Sequence, residues 1–199
     1  MDSDSPSTRG RDYAERLQTL EQARWKRALD VQRPYRWNLG RLVEGRVLDV
    51  GCGIGRNLVA LPADAVGVDH NADSVAVARS RGCTALTVEQ FTASEHSRPG
   101  AFGTLLLAHV VEHMPHDDAV DVVRGYLPHL APGGRLVLIC PQEKGFTTDA
   151  THVEFVDFAA LTRLCEQVGA TPERQLSFPF PRWAGRWFPH NEFVVTARR

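Results

Sequence analysis

The chain has 199 residues, of which 43% are hydrophobic and 24% charged, with a formal net charge of −1. That length is enough for one domain with a full core, and the near-neutral charge provides no global field to recruit nucleic acid. Cys52, Cys83, Cys140 and Cys165 show no CxxC or finger spacing, no apolar run approaches membrane-spanning length, and no signal-peptide pattern opens the chain. The expectation is a reduced, cytoplasmic protein with no membrane partner.

Residues 1–10 are polar and rich in Ser, Pro and Gly, which predicts a flexible N-terminus. Residues 11–199 then read as a single domain, with 11–40 as an N-terminal helical cap. Within the cap, Tyr13, Leu17, Leu20, Trp25 and Leu29 recur at helical spacing over Asp12–Asp30, and Pro34 is expected to end that helix. The stretch Val47 to Asn57 follows: an apolar run, an acid at Asp49, alternating Gly51, Gly53 and Gly55, then the start of a helical pattern. A strand–turn–helix of this kind sets bare glycines and backbone N–H groups against a ligand at the carboxyl edge of a parallel sheet.

Two ligands compete for such a turn, and charge separates them. A dinucleotide fingerprint needs a third glycine where Arg56 stands. Its pyrophosphate would also be repelled by Asp49, whereas the cationic amine of S-adenosylmethionine would be attracted. The stretch resembles motif I of the class I S-adenosylmethionine-dependent methyltransferases. Asp49, Gly51, Gly53 and Gly55 then form the cofactor turn, and the resemblance implies that Arg36, in the segment overhanging it, meets the methionyl carboxylate.

Ala65–Asp69 reads as a second strand ending in an acid, 18 residues after Gly51 for Asp69, the spacing at which a carboxylate accepts ribose hydroxyls. The alternative is a helix cap for Asn71 onward. His70, beside Asp69, joins the cofactor set. Asp73–Arg79 continues as a helix and Thr84–Val88 as strand three. The resemblance implies an adenine-reading residue next, Glu89 or Gln90, with Phe91 as the apolar wall. Phe102–Ala108 is strand four, followed by a helix from His116 to Leu130, a Pro132-Gly133-Gly134 turn, and strand five over Arg135–Cys140. A helix at Phe158–Val168 and strands at Arg174–Phe178 and Glu192–Ala197 complete the pattern. The alternation predicts a Rossmann-like, doubly wound α/β sheet with helices on both faces. The resemblance implies seven strands with the last antiparallel.

His109, Glu112 and His113 stand at i, i+3 and i+4 beyond strand four, and share one face if that junction turns helically. Imidazole and carboxylate are metal ligands, and His152, in the loop after strand five, is placed to supply a fourth. The set is similar to the metal-binding ExxEH-plus-distant-His pattern of the small-RNA 2′-O-methyltransferases, with His109 in place of the first glutamate. The ubiquinone-biosynthesis O-methyltransferases share a related Glu-His motif. The expected ion is Mg²⁺ or Mn²⁺, with Zn²⁺ or Fe²⁺ as alternatives, since imidazoles suit the softer ions. His152 is the candidate base if it is not a ligand, and His109 is the next.

The 179–190 stretch, with Trp183, Trp187 and Phe188, reads as an acceptor-side loop, and Glu154 is a further acceptor-binding candidate. Arg182 and Arg186 offer a site for an acceptor carboxylate or phosphate. The sequence thus predicts a monomeric or homodimeric O-methyltransferase for a small, carbohydrate-like acceptor, assisted by a divalent metal. The alternatives are a metal-independent methyltransferase for a phenol, carboxylate or amine, an RNA 2′-O-methyltransferase, or a catalytically silent cofactor-binding partner.

Overall fold

The computed structural model describes residues 32–199. The predicted flexible N-terminus, the Asp12–Asp30 helix and most of the 11–40 cap lie outside the described residues.

Helix α1 (Arg33–Leu42) opens the described chain, with Pro34 in its first turn. Pro34 therefore opens a helix of its own. Its fixed φ suits a helix entry, where its missing N–H removes no helical bond. Strand β1 (Val47–Val50) leads into the glycine turn, where Gly51, Gly53 and Gly55 take φ of 74°, 51° and 80°. The helix expected after this turn is reduced to one 3₁₀ turn, Leu58–Ala60. Pro62 follows directly, so no longer helix fits there.

Strand β2 (Val66–Asp69) feeds α2 (Ala72–Ser80), and β3 (Ala85–Thr87) feeds the short α3 (Val88–Thr92). Strand β4 (Phe102–Ala108) is followed by a 3₁₀ turn at Val111–His113 and by α4 (His116–Tyr126). Strand β5 spans Leu130–Pro141 and is longer than expected. Leu130 pairs with Phe102 and Arg135 with Thr104, so the predicted Pro-Gly-Gly turn is a bulge within the strand. After a short α5 (Glu143–Phe146) come α6 (Phe158–Gln167), β6 (Thr171–Phe178) and β7 (Glu192–Arg198).

The strands form one sheet in the order β3-β2-β1-β4-β5-β7-β6. β1 to β5 run parallel, and β7 lies antiparallel between β5 and β6. Successive strand residues face opposite sides, as the pleat requires. Leu105 and Leu107 join the larger core cluster with Val120 and Val123 of α4 and Leu161 and Leu164 of α6. Leu106 and Val47 join the other, with Leu39 and Leu42 of α1 and Val75 and Ala78 of α2. Both faces are covered, which is what makes the central strands continuous apolar runs.

The strand order reverses direction between β1 and β4. At that point the loops beyond the strand ends diverge and leave a crevice at the carboxyl edge. β7 runs the other way, so its first residue, Glu192, also lies at that edge, in register with Pro141 at the end of β5.

Candidate active site

The half of the crevice above β1, β2 and β3 carries the glycine turn. Gly51 and Cys52 donate their N–H groups to the Val68 carbonyl at 2.8 and 3.1 Å, which ties the turn to β2. A Cβ on Gly51 would collide with the Val110 side chain, so only glycine fits between the two strand ends. Asp69 accepts from Gly53 N at 2.7 Å through Oδ2 and from Asn71 N at 2.8 Å through Oδ1. The helix cap is Asn71, whose side chain accepts from Asp73 N and Ser74 N. Asp69 is thus free of the capping role and braces the glycine turn. His70 Nδ1 lies 3.6 Å from Asp69 Oδ1.

Asp49 is buried at the end of β1, and neither carboxylate oxygen has a hydrogen-bond partner. Burial, with the negative charge of Asp69 nearby, pushes its pKa up to about 8, against a smaller lowering by the Asn57 side chain, which lies close without completing a hydrogen bond. A buried, orphaned carboxylate is costly unless something positive or protic meets it. The cationic ammonium of S-adenosylmethionine satisfies that need, and the glycine turn leaves room for its approach. The residues present therefore fit this cofactor.

The adenine region departs from expectation. Thr87 and Gln90 form a capping box for α3, and the Gln90 carboxamide also accepts from Arg79 Nη2 at 2.6 Å. Gln90 is committed to structure. Phe91 is fully buried against Tyr126 and His129, with ring centroids 5.9 and 5.0 Å away, and offers no wall to a ligand. The exposed apolar side chain at this edge is Val88, one residue beyond Thr87, which pairs in register with Asp69. Glu89 stays exposed on α3. Arg36 is exposed on α1.

Above β4, β5 and β7 lies the second half. His109 takes φ of 59°, the left-handed region, so the expected continuous helical turn from His109 to His113 does not form. Its ring turns toward β7, with Nε2 3.0 Å from Glu192 Oε1 and Nδ1 3.3 Å from Glu112 Oε1. Burial would lower the His109 pKa, but the two carboxylates outweigh it and raise it to about 10. Its ring is engaged by those two carboxylates and lies outside the grouping of Glu112, His113 and His152, in place of the four-residue set expected.

Glu112, His113 and His152 do come together: one ligand atom from each lies within 4.8 Å of the others. The means is backbone pairing, with the N–H groups of Val153 and Glu154 donating to the Glu112 carbonyl at 2.8 and 3.2 Å. His113 Nδ1 stands 3.1 Å from the Thr151 carbonyl oxygen, and His152 Nδ1 2.7 Å from that of Phe146. A carbonyl only accepts, so each Nδ1 carries the proton and each Nε2 keeps a lone pair. Burial holds the His113 pKa below its ordinary value despite the nearby Glu112. Burial would raise the Glu112 pKa, but the His109 imidazolium more than offsets it and keeps the carboxylate ionised. Two imidazoles whose Nδ1 atoms are tied to carbonyls, with one buried carboxylate, are a donor set that fits a divalent ion.

Five acceptor candidates have the following surroundings. Glu154 Oε2 accepts from His116 N at 2.8 Å, which satisfies a free N–H at the start of α4. Arg182 is paired with Glu143 and lies over the Phe193 ring, so it is not available to an acceptor anion. Trp183 and Trp187 are 70% and 79% exposed and wall no closed pocket. Phe188 packs edge-on against Phe180 and His190. Two cleft residues were not anticipated, Glu192 and Tyr35. Tyr35 Oη donates to the His190 carbonyl at 2.8 Å, and burial with the nearby Glu192 charge raises its pKa. An antiparallel final strand beginning with an acid was the available signal for Glu192.

Residues 47–134 match the family described as a methyltransferase domain. No curated protein sequence matches the chain. Among solved structures, a SAM-dependent methyltransferase from Archaeoglobus fulgidus superposes with a TM-score of 0.63 at 17% identity, covering 87% of this chain and 94% of that one. One from Mesorhizobium loti gives 0.59 at 15% identity, with 84% and 97% covered. Magnesium protoporphyrin IX methyltransferase from Synechocystis with bound SAH gives 0.59 at 19% identity, with 85% of each chain covered. At these identities the structural likeness is one of fold. No helix among the described residues is long and apolar enough to cross a membrane. The glycine turn, the orphaned Asp49 and the strand order agree with the family match: residues 47–134 carry a methyltransferase domain, in a fold shared with S-adenosylmethionine-dependent methyltransferases.

Proposed function

We propose that the protein methylates a hydroxyl of a small polyhydroxylated, carbohydrate-like acceptor, with a divalent ion held by Glu112, His113 and His152. The observation that carries this reading is the grouping of those three side chains with both Nδ1 atoms tied to carbonyls. Mg²⁺ and Mn²⁺ are the first candidates, and the two imidazoles also suit Zn²⁺ or Fe²⁺. When bound, such an ion supplies Lewis acidity toward an acceptor hydroxyl, and a vicinal diol is the group best shaped to use it.

S-adenosylmethionine supplies an electrophilic sulfonium methyl. The chain's own part is to hold and align. Asp49 receives the ammonium, Asp69 keeps the glycine turn in place while offering remaining lone pairs to the ribose, and Val88 supports the adenine. Arg36, Glu89 and His70 complete the proposed cofactor contacts. His109 keeps Glu112 ionised and buried without taking a proton itself. His152 has one lone pair, at Nε2, so it serves as ligand or as base but not as both at once. Alignment of a hydroxyl with the methyl accounts for much of the rate in a single displacement of this kind.

A metal-independent reading has one observation in its favour. The Glu112 carboxylate already faces the His109 ring at 3.3 Å and accepts from Cys140 Sγ at 3.5 Å. The two readings separate in a screen of saccharides, polyols and phenols with methyl-labelled S-adenosylmethionine, run with and without chelator. Labelled methyl ethers of diols that vanish with chelator and return with Mg²⁺ or Mn²⁺ support the proposal. Chelator-insensitive transfer to phenols, carboxylates or amines overturns it.

A further inference from the structure

Neither α1 nor residues 174–191 contain a single aspartate or glutamate, although acids slightly outnumber Lys and Arg in the whole chain, 24 to 23. The two segments are neighbours. Tyr35 donates to the His190 carbonyl, and its ring meets Phe178 edge-on with centroids 5.5 Å apart.

The loop after β6 is held firmly from beneath. Asn191 Oδ1 accepts from Phe180 N at 2.9 Å, and its Nδ2 donates to Gln142 Oε1 at 2.9 Å and to Ser177 Oγ at 3.0 Å. Gly185 packs so closely on the Gln142 side chain that any Cβ would collide with it. The Arg182–Glu143 pair adds a further anchor. Above this base, Trp183 within a 3₁₀ turn and Trp187 at its end are 70% and 79% exposed, with Phe180 at 49%. On α1, Trp37 is also mostly exposed, beneath the Arg41 guanidinium at 4.5 Å. A pliant loop would fold such rings inward to remove apolar surface from water. This one is pinned with them outward, the arrangement of a surface that meets a partner.

We propose that this surface binds peripherally to an anionic lipid bilayer. Indole rings are amphipathic and settle at the headgroup level of a membrane. Arg186, with Arg33 and Arg41 of α1, is attracted by anionic headgroups, with no acid in either segment to oppose them. The two acids close by are already matched, Glu143 by Arg182 and Glu192 by His109. Other occupants fit less well. Aromatic side chains present about 150–250 Å² each, so a few partly exposed rings fall short of the ~800 Å² per partner typical of a stable protein interface. A single-stranded nucleic acid needs an extended basic track, which these clustered arginines do not form.

The test is flotation of the full chain with phosphatidylcholine vesicles, with and without phosphatidylglycerol, while following tryptophan fluorescence. The account predicts partition onto the phosphatidylglycerol vesicles with a blue-shifted emission, and little onto phosphatidylcholine alone. Arg186→Glu is expected to weaken the anionic binding, and a Trp183→Ala/Trp187→Ala double variant to weaken it by roughly tenfold or more. Calorimetric affinity for S-adenosylhomocysteine, whose proposed site lies above β1 to β3, is the control that the variants are folded. Absence of wild-type partition, equal partition onto both vesicle types, or undiminished binding by the folded double variant would overturn the proposal. So would tight binding of a single-stranded oligonucleotide through the same tryptophans in place of lipid.

Discussion

The Asp69 carboxylate accepts the Gly53 N–H at 2.7 Å, so the residue spaced to hold the ribose also pins the glycine turn. The two roles have separable signatures. Asp69→Ala removes both, and S-adenosylhomocysteine affinity is expected to fall by roughly 100-fold or more, since a charged hydrogen bond is worth ~1.5–3 kcal/mol and two functions are lost. Asp69→Asn keeps an acceptor for Gly53 and should lose less. Isothermal titration of both variants checks the order. Equal, wild-type-like affinities would remove Asp69 from the cofactor site.

Asp49 makes a prediction about pH. Its folded pKa, about 8, lies above the ordinary 3.8, so the native state holds a proton that the unfolded chain has released. Between those values stability falls as pH rises, because the native state binds the extra proton. The cofactor-free protein should therefore lose melting temperature from about pH 4 toward pH 8 through this group. Asp49→Asn should flatten that slope while weakening S-adenosylmethionine binding by about tenfold or more. Parallel melting curves and titrations at several pH values measure both. A variant with an unchanged slope and unchanged affinity would contradict the assignment.

His109 is held between two carboxylates, and its raised pKa gives a pH slope of the same sign in a higher window. Its folded pKa, about 10, exceeds the ordinary 6.5, so its contribution is complete below pH 6.5 and is lost as pH rises through 10. His109→Gln leaves the buried Glu112 without its cation; because the His109 ring is 45% exposed, solvent screens the pair and the loss is about 1 kcal/mol. Urea denaturation at pH 6 and at pH 10 should show a wild-type advantage at the first that shrinks at the second. The same gap at both values would refute the clamp.

How far the sequence could be read differs from element to element. The first five strands were legible because each carries an apolar run closed by a polar residue, a glycine or a proline. The helix that Pro34 opens was passed over because proline marks a helix entry as readily as a helix end, and the apolar pair that anchors it, Leu39 and Leu42, is short. The Thr87-x-x-Gln90 spacing is itself a capping-box signature, so the structural role of Gln90 was present in the sequence and was passed over for a ligand role. His109 was not legible. A left-handed backbone at a non-glycine residue is fixed by tertiary partners, here Glu112 and Glu192, which are three and 83 residues away. His152 was anticipated by type, but its seat beside His113 depends on backbone bonds from Val153 and Glu154 that no spacing rule reveals.

The central claim is that Glu112, His113 and His152 hold a divalent ion beside the methyl-transfer site. The most direct test is calorimetric titration of Mn²⁺ into chelator-treated protein saturated with S-adenosylhomocysteine, with wild type and Glu112→Gln compared. The account predicts saturable one-to-one binding in the wild type, weakened at least tenfold in the folded variant. Absence of saturable binding by Mn²⁺, Mg²⁺ or Zn²⁺ to the wild type, or equal binding by both proteins, would contradict it.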